Sequence, residues 1–494
     1  MAGTKSTLLG REFLPFQIVV AVLLLLRLWF DLSTDPFADE AYYWMWGQHP
    51  ALSYFDHPPL HAWLLWAIEK IFGWQRFAVR ALTWATLLGV LGIFLDWSRR
   101  FSPENPGQWF WRVTAIYLAS PLYFAMTAIA YNDHLLVFFG LLAMHCFVVF
   151  TDAIERQRDG AVRWLYAAAI ALGLAVLTKY NGIVVGLGFL VAFLVRPRLR
   201  RLLSTPHPWL AAASAIAMQA PVIYWNLVEG FASYKFHLQD RWNGVGPHLD
   251  WLSPFYFISL NVLTLSPFLL WPVIATLWRR PRGEFEDRLK TVATATMAVS
   301  SLGFLAITAI IGGYFYWNIL AFVGVIPLAA RAMNRWLLGL HLGYGLVVAI
   351  IAVCNFTVTP VVPYLLNLPD RASSINLDWD VVAAHMQAAR DKFPGDLVGG
   401  TRFSTTSQIG FALKTADVVP IAVEPIIQYR YWFDPKSIAG KSVLILTDGS
   451  DTNAAVRNLS KRFERVTLVD KFAIKRLGRE VYRWRIFRGE NYRP

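Results

Sequence analysis

The sequence predicts an α-helical polytopic membrane protein with about eleven transmembrane helices and a small C-terminal α/β domain outside the cytoplasm. Of its 494 residues, 56% are hydrophobic and only 16% are charged, whereas soluble proteins carry about 25% charged residues. Apolar runs close to the ~20 residues that cross a bilayer as a helix recur along the chain. From about Thr359 onward charges return and the apolar runs shorten, which indicates a separate domain.

The candidate spans are apolar segments bounded by polar or basic residues. They are Leu14–Leu32, Phe77–Trp97, Val113–Tyr131, Leu135–Phe150, Trp164–Leu177, Ile183–Val195, Trp209–Leu227, Trp251–Leu277, Thr291–Ile311, Tyr316–Ala329 and Trp336–Val358. The first follows Arg11 in the manner of a signal peptide. No small-residue cleavage site comes after it, so we interpret it as an uncleaved transmembrane helix.

The basic residues of the loops predict the orientation of the chain. Every second connection is basic, and the residues concerned are Arg99, Arg100, Arg112, Arg156, Arg158, Arg163, Arg196, Arg198, Arg200, Arg201, Arg279, Arg280, Arg282, Arg288, Lys290, Arg331 and Arg335. Basic loops face the cytoplasm. We therefore expect a cytoplasmic N-terminus and, with an odd number of spans, a periplasmic C-terminal domain. These loops also account for the net charge of +13, which argues against nucleic-acid binding.

The sequence divides into a transmembrane module, residues 1–358, and a tail domain, residues 359–494. The first outer loop, residues 33–76, is rich in Trp and Tyr, which suits helices lying at the membrane interface. The tail contains three strand-like runs, at 442–447, 465–469 and 481–486. An amphipathic helical segment lies at 451–463. This alternation predicts an α/β fold. Cys146 and Cys354 lie in apolar segments, which supports neither a disulfide framework nor a cysteine metal site.

Two acidic residues open the first outer loop and carry the strongest chemical signal. Asp39 and Glu40 lie just beyond the first span, where unpaired carboxylates are costly. A carboxylate in this position can act as general base toward an acceptor hydroxyl. The alternative is that this Asp-Glu pair only caps the helix that follows. Asp56 and His57 follow later in the same loop, in the segment Tyr54-Phe55-Asp56-His57-Pro58-Pro59.

Further polar residues are predicted on the same side of the membrane. Lys179 and Arg27 each adjoin or interrupt an apolar span, and each either contributes to a functional site or snorkels to the interface. Asp133 lies in a short outer turn, where it either orients a substrate, pairs with Lys179, or simply forms the turn. Lys235 and Arg241, in the second outer loop, could attract an anionic headgroup.

Several of these segments resemble those of bacterial GT-C membrane glycosyltransferases. That superfamily includes protein O-mannosyltransferases, lipid A aminoarabinose transferases and lipopolysaccharide-core galacturonosyltransferases. The residues that carry the resemblance are Asp39-Glu40-Ala41-Tyr42-Tyr43-Trp44, Tyr54–Pro59, Tyr131–His134, Leu177–Tyr180, Trp225-Asn226 and Phe231–Phe236. Asp56-His57 stands where the aminoarabinose transferases carry a Glu-Lys pair, and this departure fits the galacturonosyl branch better.

The resemblance implies a polyprenyl-phosphate-linked sugar donor and assigns roles to particular residues. Asp39 is the implied catalytic carboxylate, and the residues implied to bind the donor phosphate are Arg27, His57, Lys179 and Lys235. The residues expected to position the acceptor or hold a metal are Glu40, Asp56 and Asp133, and those expected to bind substrate are Tyr42, Tyr54 and Tyr180. No cofactor is required by this interpretation, although a divalent cation fits it as well.

The expected partners are the lipid-linked sugar, membrane lipids and an envelope acceptor, which is a glycolipid such as lipid A or lipopolysaccharide core, another glycan, or a protein. The expected location is the bacterial inner membrane. No glycine-rich loop for a nucleotide sugar is present. The alternative functions are a transporter or lipid flippase, a glycan ligase or polymerase that uses a lipid diphosphate donor, and an inactive homologue that binds lipid.

Overall fold

A computed structural model describes residues 10–238, 250–368, 370–421, 428–448 and 452–494. The helices that precede residue 239 are α1 Leu14–Ser33, α2 Ala38–Gln48, α3 Leu60–Phe72, α4 Arg76–Phe101, α5 Pro106–Ala119, α6 Pro121–Ala128, α7 Asn132–Glu155, α8 Val162–Thr178, α9 Ile183–Val195, α10 Pro197–Leu202, α11 Pro206–Ala217, α12 Ala220–Val228 and α13 Ala232–Leu238. Those between residues 250 and 358 are α14 Leu252–Leu265, α15 Pro267–Ala275, α16 Glu284–Ile311, α17 Ile319–Val323, α18 Ile326–Ala329 and α19 Arg335–Thr357.

The tail combines helices with a five-stranded sheet. Its helices are α20 Val361–Leu366, α21 Arg371–Ser374, α22 Trp379–Lys392, α23 Phe403–Ala412 and α24 Thr452–Leu459. Its strands are β1 Leu397–Gly400, β2 Val418–Pro420, β3 Val443–Asp448, β4 Phe463–Arg476 and β5 Arg479–Tyr492. The predicted α/β character of the tail is confirmed, although the sequence did not reveal the short strands β1 and β2.

Among the described residues, five helices are long and apolar enough to cross a membrane, namely α1 with the turn from Arg11, α4, α7, α16 and α19. Two bent pairs pass the same test together, with bends of 46° for α11–α12 and 97° for α14–α15. Helices α8 and α9 are shorter and apolar. Each of these matches a predicted span. The sharp bend between α14 and α15 lies at Ser266, which has a φ of 95°. Pro267, the next residue, begins α15.

Besides the two bent pairs, two further predicted spans are divided into shorter helices, and for these a continuous helix was wrongly predicted. The segment 113–131 is divided at Ser120 into α5 and α6, and Pro121 begins α6. Because proline has no amide hydrogen and clashes with the preceding turn, it starts helices more readily than it continues them. The segment 316–329 is divided into a 3₁₀ turn, α17 and α18.

The chain forms two compact units, each assembled from several segments. The first contains residues up to 27, 57–61 and 82–350, and the second contains residues 28–56, 62–81 and from 351 onward. In the first unit, Gly188 of α9 permits close approach to α16, since a Cβ there would lie 3.1 Å from the Cα of Thr296. The predicted division of the chain at residue 358 remains a prediction. The two units are defined by packing, and the second contains segments from both sides of that residue.

In the second unit, the sheet has the strand order β2-β1-β3-β5-β4. Strands β1, β2 and β3 are parallel, whereas β5 runs antiparallel to both β3 and β4. Successive side chains of a strand point to opposite faces. Leu444 and Leu446 therefore belong to one buried cluster with Trp379, and Val443 and Ile445 belong to another. Both faces of the sheet are thus covered by apolar side chains.

Candidate active site

Helix α2 places Asp39 and Glu40 in its first turn, within the second unit. Glu40 is fully buried, and its Oε2 accepts a hydrogen bond from the backbone N–H of Phe37 at 2.8 Å. This contact satisfies one of the free amides at the start of the helix. The capping alternative considered for the acidic pair therefore describes Glu40.

Arg80 of α4 binds the same carboxylate with two hydrogen bonds. Its Nε lies 2.8 Å from Oε1 of Glu40 and its Nη2 lies 2.6 Å from Oε2. Nη1 also donates to the hydroxyl of Thr34 at 2.7 Å, and Nη2 donates to the carbonyl of Asp35 at 3.2 Å. Arg80 thus holds the segment between α1 and α2 in place. The Glu40 carboxylate is thus bonded to Arg80 and to the backbone, and its predicted acceptor-positioning role stays a prediction.

Asp39 differs from its neighbour in exposure. It is half-buried, whereas Glu40 has 0% exposure. Consecutive helical residues are rotated by about 100° around the axis, so the two acidic side chains leave the helix in different directions. The N-terminal end of α2 favours the negative charge of Asp39, and the catalytic role of this carboxylate stays a prediction.

Two of the predicted substrate-binding residues, Tyr42 and Tyr54, are buried in the same unit. The Tyr42 hydroxyl accepts a hydrogen bond from the backbone N–H of Gln428 at 3.0 Å. Burial, together with the charge of Asp56 and a hydrogen bond to it, raises the pKa of Tyr42 well above its usual range. The Tyr54 hydroxyl bonds the Trp46 carbonyl at 3.0 Å. Tyr42 thus joins Asp56 to the tail segment, and Tyr54 shapes the loop.

The tail segment 428–432 packs against the first loop of the second unit. The side-chain oxygen of Gln428 accepts a hydrogen bond from the backbone N–H of Phe55 at 2.6 Å. The guanidinium of Arg430 lies 4.5 Å from the centre of the Phe55 ring, and the Trp432 ring stacks on His49 at 4.4 Å. The tail therefore contributes residues directly beside Asp56.

In the first unit, Lys179 and Asp133 form a buried ion pair. Nζ of Lys179 lies 2.8 and 3.0 Å from the two carboxylate oxygens of Asp133, and their side chains are 7% and 3% exposed. The Tyr316 ring lies under the ammonium group at 4.9 Å. The predicted pairing of these two residues is confirmed. The turn interpretation is replaced, because Asp133 occupies the first turn of α7.

Two histidines hold the beginning of α7. His61 lies 2.9 Å from Oδ1 of Asn132, and His134 lies 3.0 Å from the hydroxyl of Thr86. The rings of the two histidines are 5.5 Å apart. Burial lowers the pKa of His61 to about 4, partly opposed by its bond to Asn132. A neutral His61 therefore fixes the residue next to Asp133.

Arg27 is buried in the first unit rather than extended toward the interface. Its guanidinium donates to the carbonyls of Thr127 and Thr83 at 2.5 and 3.0 Å, and it lies 4.9 Å from the Trp84 ring. The snorkelling alternative is therefore wrong for Arg27. These contacts join α1, α4 and α6, and phosphate binding by Arg27 stays a prediction.

The remaining predicted residues of this unit lie around Tyr180. Its hydroxyl is 3.0 Å from the Ser233 hydroxyl, and its ring meets His237 edge-on at 5.3 Å. The His57 ring lies 6.2 Å from that of His237. Lys235 is exposed on α13. Arg241 lies outside the described residues.

Asp39 belongs to the second unit and Lys179 to the first. A pocket shared by the two therefore stays a prediction. No group of three or more His, Cys, Asp or Glu side chains among the described residues is arranged to hold a metal ion, so the assignment of Asp56 or Asp133 to a cation also stays a prediction.

Sequence reasoning missed several residues of these clusters. Arg80 is an arginine inside a predicted span, which is a functional signal in itself. His134 was part of a recognised motif but received no role. Tyr316 and Gln428 gave no local signal, because only the fold brings them to Lys179 and Tyr42.

Residues 56–225 match the family model described as dolichyl-phosphate-mannose-protein mannosyltransferase. The chain is 27% identical over 439 residues to the lipid A galacturonosyltransferase RgtD of Rhizobium johnstonii, which covers 85% of this chain and 88% of that protein. Its fold is similar to ArnT of Cupriavidus metallidurans bound to undecaprenyl phosphate, with a TM-score of 0.63, 17% identity and coverage of 95% and 97%. The apo ArnT structure matches with a TM-score of 0.57.

This chain is a membrane glycosyltransferase of the GT-C type. The stretch that matches the family model, residues 56–225, contains Asp56, His57, Asp133 and Lys179. Asp39 precedes this stretch. The similarity to a galacturonosyltransferase agrees with the branch that the Asp56-His57 pair favours. The fold prediction is confirmed, including the small tail sheet.

Proposed function

We propose that this transferase moves a sugar from a polyprenyl-phosphate carrier onto lipid A or the lipopolysaccharide core at the outer face of the bacterial inner membrane. The observation that carries this proposal is the similarity to a lipid A galacturonosyltransferase over 85% of the chain. The related ArnT structure contains undecaprenyl phosphate, which supports a lipid-linked donor. The basic loops support a cytoplasmic N-terminus and a periplasmic tail.

Asp39 is the general base of the proposed reaction. The acceptor hydroxyl attacks the anomeric carbon of the sugar, and the bond from that carbon to the phosphate oxygen breaks. The hydroxyl proton passes to the Asp39 carboxylate, and the electron pair of the broken bond leaves with the lipid phosphate. Glu40 cannot exchange roles with Asp39, because Arg80 binds both of its carboxylate oxygens.

The departing phosphate gains negative charge, so a positioned cation lowers the barrier. Lys179 supplies this cation from a fixed position, since Asp133 and the Tyr316 ring hold its ammonium group. His57 and Lys235 are the further donors assigned to the phosphate. Arg27 is also assigned to the phosphate, and its bonds to the carbonyls of Thr83 and Thr127 hold α1, α4 and α6 together.

The tail selects the acceptor in this proposal. Gln428 and Arg430 contact the first loop at Tyr42 and Phe55, and Tyr42 bonds Asp56. An acceptor hydroxyl held near Asp56 therefore meets side chains from both the loop and the tail. The sugar is a uronic acid if the similarity to RgtD extends to the donor.

The test is sugar transfer by the purified protein in detergent. A synthetic polyprenyl-phosphate galacturonic acid and lipid A are supplied, and the product is measured by mass spectrometry. We expect turnover by the native protein and loss of turnover in Asp39→Asn. Asp417→Asn is the matched control, because Asp417 is an exposed aspartate of the tail. Equal activity of Asp39→Asn and the control would exclude Asp39 as the base.

The same assay separates the alternative functions. Turnover in detergent, where no compartments exist, excludes transport as the whole function. A preference for the diphosphate-linked over the monophosphate-linked sugar would favour a ligase or polymerase. Mass spectrometry of envelope lipids from a deletion strain then identifies the acceptor, and an unchanged lipid A and core would contradict the acceptor proposed here.

A further inference from the structure

The end of the last membrane-spanning helix, α19, carries an exposed apolar surface. Helix α20 begins four residues after Thr357, the last residue of α19. Four apolar side chains of α20 and the residues just beyond it are exposed, by 37% for Val362, 69% for Leu365, 63% for Leu366 and 55% for Leu368. Tyr364 and Asn367 are exposed beside them. Leucines at such exposures are costly in water, so a cover for this surface is expected.

The turn between β4 and β5 adds a further exposed leucine to this surface. Leu477 and Gly478 have φ angles of 48° and 78°. Two-residue hairpin turns with positive φ at both positions prefer Asn, Asp or Gly, because a side chain such as leucine is strained there. Leu477 is nevertheless 61% exposed. An apolar residue at a strained, exposed turn indicates an apolar partner.

Two arginines fix this turn at the level where α19 ends. Arg476 donates to the carbonyl of Thr357 at 3.4 Å and is paired with Asp378. Arg479 donates to the carbonyl of Tyr364 in α20 at 2.7 Å, and its guanidinium lies 4.7 Å from the Tyr364 ring. The turn, α20 and the last residue of the span therefore lie together.

Basic and polar groups border the leucines. Lys475 and Arg479 are exposed on the two strands beside the turn. A cavity of about 570 Å³ lies next to them, lined by Thr359, Pro363, Tyr364, Asn367, Leu368, Arg479, Glu480 and Val481. Leucines for the acyl region, with tyrosine and basic side chains at the headgroups, match the chemistry of a membrane interface.

We propose that α20 and the Leu477 turn form a docking surface that inserts its leucines into the bilayer around the end of α19 and binds anionic phospholipid headgroups through Lys475 and Arg479. The surface is continuous with the lipid-facing helix α19, and this continuity identifies the bilayer as its occupant. Docking holds the tail sheet, and with it the segment 428–432, at a fixed height above the membrane.

The test uses the full-length protein in nanodiscs, with Cys146 and Cys354 replaced by alanine. Spin labels are attached at Leu365→Cys and Leu477→Cys, and their collision rates with oxygen and with a water-soluble nickel complex are compared. Leu468→Cys is the matched control, because Leu468 is a 45% exposed leucine on β4, about 30 Å along the strand from the turn.

We expect labels at 365 and 477 to collide with oxygen and to be protected from nickel, and the label at 468 to show the reverse. Equal nickel accessibility at all three positions would overturn the proposal. The double variant Lys475→Gln/Arg479→Gln removes two charges. Each removed charge should weaken the protein's preference for phosphatidylglycerol over phosphatidylcholine in mixed-lipid nanodiscs about fivefold.

An unchanged phosphatidylglycerol preference in that double variant would refute headgroup binding by these residues. Leu477→Asn provides a variant that the turn itself tolerates well, because asparagine adopts positive φ readily. It should fold normally and increase the nickel accessibility of a label at 365. An unaltered accessibility in this variant would show that Leu477 does not anchor the surface.

Discussion

Substitution of the two adjacent acids should separate a structural carboxylate from a catalytic one. Glu40→Gln removes the charge that Arg80 binds at 2.6 and 2.8 Å in a site where both side chains are at most 2% exposed. Breaking a buried pair from one side costs about 3–5 kcal/mol, because the remaining charge stays buried. Glutamine keeps one acceptor oxygen, so we expect the free energy of unfolding to fall by an amount near the lower limit, about 3 kcal/mol.

The assay is thermal unfolding in detergent, followed by the fraction that remains monodisperse, combined with sugar transfer at low temperature. Glu40→Gln should unfold at a lower temperature, whereas Asp39→Asn should unfold like the native protein and lack turnover. The double variant Glu40→Leu/Arg80→Met should lose less stability than the sum of the losses in the two single variants, because neither partner charge is left buried alone. A native unfolding temperature for Glu40→Gln together with lost turnover would refute this division of roles.

Three further predictions concern the other buried groups. Lys179→Gln should lower turnover with the lipid-linked donor, which transfer kinetics measure. Asp133→Asn leaves the lysine without its carboxylate at 2.8 Å. This variant should also destabilise the protein by about 3–5 kcal/mol, which thermal unfolding measures. Since burial lowers the pKa of His61 to about 4, the folded state resists protonation and should lose roughly 3 kcal/mol of stability as the pH falls from about 6.5 to 4; His61→Gln should flatten this pH dependence, and an unchanged slope would contradict a neutral buried His61. Tyr42→Phe removes the hydroxyl that accepts from Gln428 at 3.0 Å and should raise the KM for the acceptor with little effect on the KM for the donor.

The sequence was sufficient for the membrane architecture because the signal is repeated. Apolar runs recur at bilayer length, and basic loops alternate with them. Local interruptions were missed where a residue with an unusual backbone stands inside an apolar run, as at Ser266 before Pro267. Strands β1 and β2 were missed because strands of four and three residues give too few alternations to detect.

The candidate site was only partly predictable for a related reason. Charged residues near apolar spans are conspicuous, so Asp133 and Lys179 were found and their pairing was anticipated. Neighbours in sequence cannot be ranked without burial, however, and Asp39 and Glu40 look equivalent until Glu40 is seen to be fully buried against Arg80. Contacts from distant segments, such as Gln428 on Tyr42, have no local signature at all.

The buried Asp133–Lys179 pair constrains how the donor phosphate can bind. An ammonium group that is only 7% exposed is costly to bury without a counter-ion, and Asp133 supplies that counter-ion before any substrate arrives. The pair is neutral as a whole, so an incoming phosphate adds an uncompensated negative charge unless a further cation approaches. Lys235 is exposed on α13, the helix whose Ser233 contacts Tyr180, directly after Lys179. In the proposed reaction, Lys179 would therefore fix the position of the phosphate, and the exposed Lys235 would complete the charge balance.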